Sequence, residues 1–212
     1  MILFLTLVSG LAWTVVYIES IRVGFRDRSY PMPMAALALN IAWESIHAGH
    51  ALATETSAQG FVNAIWALAD VAIVYMYIRF GRRELPAFVT RPLFVAWTGL
   101  VFATAYLVQW MFIAEFGWVM GARYPAFLQN LLMSGLFISM FVARRGARGQ
   151  SLVIAAAKWL GTLAPTILFG IIYGNPFILG LGILCSVFDI VYTGLLLWDR
   201  RRSSSSLYSG RV

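Results

Sequence analysis

The sequence predicts an all-α integral membrane protein built as a bundle of seven transmembrane helices, and three observations predict it. Hydrophobic residues make up 60% of the 212-residue chain and charged residues only 12%, with a mean hydropathy of +0.77; a soluble domain carries about 25% charged residues. Apolar stretches near the ~20 residues of a spanning helix recur at 2–20, 31–50, 61–80, 92–114, 124–143, 152–173 and 176–198. The cations also gather at alternate connections.

The first stretch has neither a basic leader nor a small-x-small cleavage site, so it reads as a helix and not as a signal peptide. Arg22, Arg26 and Arg28 follow it; Arg79, Arg82, Arg83 and Arg91 flank spans three and four. Arg144, Arg145, Arg148 and Lys158 flank spans five and six, and Arg200, Arg201, Arg202 and Arg211 follow the last. Arg123 stands on the opposite side. This positive-inside pattern sets the N-terminus outside and the C-terminus in the cytoplasm. The net charge of +7 is therefore topological, and nucleic acid is not an expected partner. Short connections leave one domain over 1–200, with 201–212 as a disordered basic, serine-rich tail. One lysine against fifteen arginines points to a high-GC bacterial genome, and so to a bacterial plasma membrane. The single Cys185 excludes a disulfide framework and a thiolate metal site.

Polar residues at depth carry the functional signal. Span one brings Trp13 and Tyr17. Span two contains "LNIAWESIHAGH", in which Asn40, Glu44 and His47 share a face at i, i+4 and i+7. A carboxyl there costs roughly 2.5 kcal/mol on insertion scales. Span three aligns Asn63, Trp66 and Asp70; span four brings Tyr106, Gln109 and Trp110; span five Asn130 and Ser134; span seven Asp189 and Tyr192. Isolated groups such as Asn63, Asn130 and Ser134 commonly join helices, at about 0.6 kcal/mol. Glu19, His50, Glu115 and Asp199 fall at span ends and read as interfacial. Glu44, Asp70 and Asp189 are different. They come from three spans with no cation expected at matching depth, so they read as neutral acids, the form desolvation favours.

Several chemistries are set aside. "ESIH" has the Glu-x-x-His spacing of di-iron bundles but lacks a second copy, and "HAGH" is a lone pair at the membrane edge. No aspartate cluster suits magnesium-assisted diphosphate ionisation. A retinal Schiff base needs a lysine deep in the bundle, whereas Lys158 opens span six. Gly180 and Gly182 read as close-packing positions. Two classes remain: an enzyme doing acid chemistry on a lipophilic substrate within the bundle, or a proton-coupled small-molecule transporter using the same carboxyls. Eight Trp, nine Tyr and fifteen Phe suit a cavity that holds a carbocation by ring quadrupoles, and no three-plus-three repeat of the kind common in carriers is evident.

From Trp13 to Asp199 the chain resembles the integral-membrane terpene cyclases of meroterpenoid and indole-terpenoid biosynthesis, the pyripyropene-cyclase type. The resemblance is carried by "WTVVY", "PMAALALNIAWE" ending in Glu44, "NAIWALAD" ending in Asp70, "LQNLLMSGLF", "KWLGT" and "FDIVY" around Asp189. Its short length and arginine-rich composition look like a bacterial branch acting on farnesylated indole-type compounds. The resemblance implies a prenyl chain on an aromatic or indole head, cyclised after protonation of its terminal alkene or epoxide. It implies two essential acids, at Glu44 and Asp189, and no metal or redox cofactor. The expected partners are a lipophilic prenylated substrate and membrane lipid. His47 departs from the aromatic or small residue expected at its position. On this reading Asn40 and Gln109 would hold the acid, His47 would hold or recharge it, and Trp43, Trp66, Trp110 and Tyr192 would shield the cations. Asp70, Asn130, Trp13 and Tyr17 would support the site.

Overall fold

The structure, a computed structural model, describes residues 1–54 and 58–209, with side chains at 1–54 and 60–202. Helix α1 (Ile2–Asp27) ends at Arg28, whose left-handed backbone returns its N–H to the carbonyls of Gly24 and Phe25. Pro33 leads into α2 (Met34–Thr54), and α3 (Ala58–Phe80) runs out through a 3-10 turn at Gly81–Glu84. Thr90 caps α4 (Arg91–Arg144) by accepting from the Leu93 N–H at 3.4 Å. Ser151 caps α5 (Leu152–Pro165) in the same way, accepting from Ile154 at 3.2 Å. Past Pro165 the helix widens into a π-helical stretch, Thr166–Ile172. Asn175 then accepts from the Ile178 N–H at 3.1 Å, starting α6 (Pro176–Ser209) with a proline in its first turn. Helix α6 thus continues beyond residue 200, where the tail was expected to begin; Arg202 there lies over the Trp198 ring. Residues 210–212 of that tail lie outside the described residues.

Helix α4 has 54 residues, about 80 Å if straight against a hydrocarbon core near 30 Å. It is not straight. Gly117 adopts φ 69°, ψ 176°, a region essentially reserved for glycine, and the chain folds back there. Gln109 and Gln129, about 30 Å apart along a straight rod, hydrogen-bond at 3.0 Å. The two limbs, 91–116 and 118–144, meet backbone to backbone: a β-carbon on Gly121 would fall 2.8 Å from Ile113 Cα. The reversal is tighter than the 115–123 connection implied by the apolar stretches. Gly117→Ala is expected to cost about 1–3 kcal/mol, read as a lower unfolding temperature in detergent. Gly99→Ala, at a helical site with no neighbour within 4 Å of the added carbon, should leave that temperature unchanged or slightly raised.

Among the described residues, five elements are long and apolar enough to cross a membrane: α1, α3 from Gly60 with its 3-10 turn, α4, α5 with the π-helical stretch, and α6 to Arg202. Helix α2 is not among them, because Asn40, Glu44, Ser45, His47 and His50 interrupt it. Packing runs in a closed circuit, α1 to α3 to α2 to α4 to α6 to α5 and back to α1. Leu3, Leu7, Leu68, Val95 and Leu107 are exposed on the outside, as suits lipid, while Asn40, Glu44, Asp70, Gln109, Lys158 and Asp189 are buried within. The predicted close packing holds at Gly182, where any side chain would strike Thr166, whereas Gly180 has open space around it.

One end of the bundle is stitched by charge. Arg144 pairs with Glu84 at 2.7 Å and donates to the carbonyls of Tyr30 and Arg148, both at 2.9 Å. Asp27 accepts from the Gly149 N–H at 2.8 Å, and Asp199 from the Ala147 N–H at 3.2 Å. These bonds fasten the 145–151 connection to α1 and α6, leaving the Gly117 end to hold the site.

Candidate active site

A cavity of about 350 Å³ opens between α1, α2, α3, the second limb of α4 and the end of α5, within the usual range for a small-molecule site. Its walls are mostly aromatic and aliphatic. Trp13, Trp43, Trp66, Phe127 and Phe169 all border it. Trp43 is fixed by donating from Nε1 to the Ala122 carbonyl at 2.8 Å, and Trp66 by donating to Thr14 at 3.2 Å and stacking on Tyr17 at 6.0 Å. Glu44 is the only carboxyl among the described residues lining the cavity. It is 5% exposed, and its Oε2 has no hydrogen-bond partner.

Behind Glu44 lies an amide network. Asn40 donates to Tyr17 Oη at 2.5 Å and to Asp70 Oδ2 at 2.9 Å, while Tyr17 donates to the same Asp70 oxygen at 3.4 Å. The carbonyl oxygen of Asn40 accepts from Gln129 at 3.4 Å. Gln109 in turn donates to Gln129 at 3.0 Å and to the Leu39 carbonyl at 3.3 Å. The amides of Asn40 and Gln109 are therefore spent on Asp70, Tyr17, Gln129 and backbone, and the expectation that they hold Glu44 is corrected. Asp70 sits behind the cavity wall, joining α3 to α1 and α2. Asn130 does border the cavity, and its Oδ1 has no partner.

Other expected members fall elsewhere. His47 rests between Trp43 and Trp118, at 4.7 and 6.0 Å between ring centroids, its Nε2 without a partner and outside the cavity lining. His50 stacks on Trp118 at 3.5 Å. Trp110 is half exposed and meets Trp118 edge-on, so it shields no cavity; its indole follows the outer side of its limb. Tyr192 is fully buried against Phe137, one layer away from the cavity.

The largest correction concerns Asp189. Lys158 is wholly buried and donates to both its carboxyl oxygens, at 2.9 and 3.0 Å, and to Ser134 at 2.6 Å. A cation does lie at matching depth, and Asp189 is in a salt bridge instead of standing as a free acid. Lys158 begins almost two turns inside α5, and its four-carbon stem carries the ammonium inward. Neither residue borders the cavity. Ser134 also donates to the Asn130 carbonyl at 2.9 Å, tying the pair to a helix that does. The sequence signal for Lys158 was its being the single lysine among arginines; for the cavity-lining Arg123, its being the single cation on its side.

The chain matches the family model for Pyr4-like transmembrane terpene cyclases over residues 1–202. The chain belongs to that family. It is 31% identical to the Pyr4-family terpene cyclase mfmH of Annulohypoxylon moriforme over 173 residues, 81% of this chain and 71% of the relative. It is 26% identical to the terpene cyclase pyr4 of Aspergillus fumigatus over 208 residues, 92% of this chain and 85% of that one. The terpene cyclase dpchB of Colletotrichum higginsianum is 27% identical over 210 residues, again 92% and 85%. These relatives are fungal and lend nothing to a bacterial source. No solved structure matches the chain. A membrane terpene cyclase with a lipophilic terpenoid substrate is the consequence, and the transporter reading falls away.

Proposed function

We propose that this cyclase protonates the terminal alkene or epoxide of a farnesyl chain carried on an indole or other aromatic head, and closes it to a polycyclic, drimane-like product. The observation that carries this reading is Glu44, a buried carboxyl with an unpartnered oxygen on the wall of an aromatic cavity. Glu44 is the general acid. Its proton forms a new C–H bond at the distal alkene, or opens the epoxide, and leaves a tertiary cation that the internal alkenes attack in turn. Trp13, Trp43 and Trp66 face that charge with their π-systems, and a cavity poor in water protects it from quenching. Loss of a proton from the last cation restores an alkene. Glu44, ionised by the first step, takes it back in this reading, so substrate and product have the same mass. Asp189 supports the site through its ion pair with Lys158 and does not touch the reacting carbons.

The same proposal includes a single domain over 1–200 with seven spans, N-terminus outside, in a bacterial plasma membrane. Two limbs of α4, α2 held by partners on three helices, and the clustering of arginines at one end support that topology.

The test is turnover without helpers. Membranes containing the protein are incubated with 3-farnesylindole, or with its terminal epoxide, in the presence of a chelator and without nucleotide. An isomer of unchanged mass is expected by mass spectrometry. Both substrates recovered intact would sink this reading, and product that forms only without chelator would remove its metal-independent part.

A further inference from the structure

Arg123 borders the cavity and has no carboxylate partner among the described residues. Its guanidinium lies over the Phe169 ring at 4.5 Å and within 6.0 Å of Tyr173. A contact of this kind engages the charge of the guanidinium and makes no use of its N–H donors. Arg123 is about 9 Å along its limb from the Gly117 reversal, whereas Glu44 is about 15 Å inside the near end of α2. Trp43 ties the two regions together through the Ala122 carbonyl. The cavity therefore has a cationic donor toward its outer end and an acid deeper in, with aromatic walls between them.

We propose that Arg123 is the head-group receptor of the cyclase, and that the head carries an accepting oxygen, as a carboxylate or carbonyl, which the guanidinium fork binds. An oxygen held there sets the head near the Gly117 end and sends the prenyl tail inward toward Glu44. This rests on the cyclase reading above and adds to it the class of head. Arginine suits the task because its fork matches a planar pair of oxygens. A head without such an oxygen would leave the N–H donors of this partly buried guanidinium unused by the substrate.

The experiment compares 3-farnesylindole with 3-farnesylindole-2-carboxylate on the wild type, Arg123→Gln and Arg123→Lys. Turnover gives kcat and KM. Binding of the same heads on saturated tails, which cannot be protonated, is followed by tryptophan fluorescence. The wild type is expected to favour the carboxylate by about tenfold or more in Kd and KM. Arg123→Gln should erase that preference in Kd and KM, and Arg123→Lys should keep part of it. If the glutamine variant does not fold, the lysine variant decides, by losing affinity for the carboxylate head alone. Equal binding of the two heads by the wild type would overturn the proposal. So would an equal loss on both heads in either variant, which would assign Arg123 to the lipid surface or to the fold. A head preference that depends on Arg123 without any isomer formed would uphold this inference and reject the cyclisation chemistry instead.

Discussion

Glu44→Gln is expected to cut cyclisation by at least about 10³-fold, within the range ascribed to a general acid, while leaving the bundle folded. The amide has nearly the shape of the carboxyl it replaces. Because Glu44 Oε2 has no hydrogen-bond partner, no bond at that oxygen is broken, and the change in stability should stay within about 1 kcal/mol. What disappears is the proton, since an amide cannot supply one to an alkene. The check is the initial rate of isomer formation beside the unfolding temperature of the same preparation. Full turnover in this variant would remove Glu44 from the mechanism. Loss of both turnover and folding would give it a structural role.

Lys158→Met should have the largest effect on stability, about 3–5 kcal/mol, because it strands the buried Asp189 carboxylate. Asp189→Asn should also destabilise, by leaving the ammonium facing a neutral amide. Replacing both, as Lys158→Met with Asp189→Leu, removes the two charges together and should recover most of the loss, since well-packed apolar residues often replace a buried ion pair without penalty. Thermal unfolding in detergent across this cycle measures the coupling. Turnover in the double variant then separates two roles for Asp189. A folded, active double variant means that the carboxylate acts by bracing Ser134, α5 and α6. A folded but inert one means that it takes part in the chemistry after all.

Helical spacing made much of the site legible. The i, i+4 relation put Asn40 and Glu44 on the inner face of α2, and both border the cavity. It also brought Trp66 and Asp70 inward together on α3. The same periodicity misled at His47, three residues further on, because the packing of Trp43 and Trp118 turns its ring out of the cavity. Trp110 follows Gln109 in the chain yet points to the other side of its limb, so adjacency in sequence was a poor guide. The Lys158 pairing was illegible for a different reason. Counting residues places a Cα, not the end of a long side chain, and Asp189 comes to meet it from a helix more than thirty residues away. The reversal of α4 could be located only roughly, since a single glycine dihedral makes it and apolarity continues on both sides.

The weak apolar character of α2 bears on how the protein is made. A segment with a glutamate, an asparagine and two histidines has little reason to leave the translocation machinery for lipid alone. Its polar groups find their solvent in the protein, at Tyr17 of α1, Asp70 of α3 and Gln129 of α4. Integration of α2 is therefore coupled to the arrival of those three helices, the last of them translated almost ninety residues later. The polar residues that join α2 to its neighbours also set the order of its biogenesis.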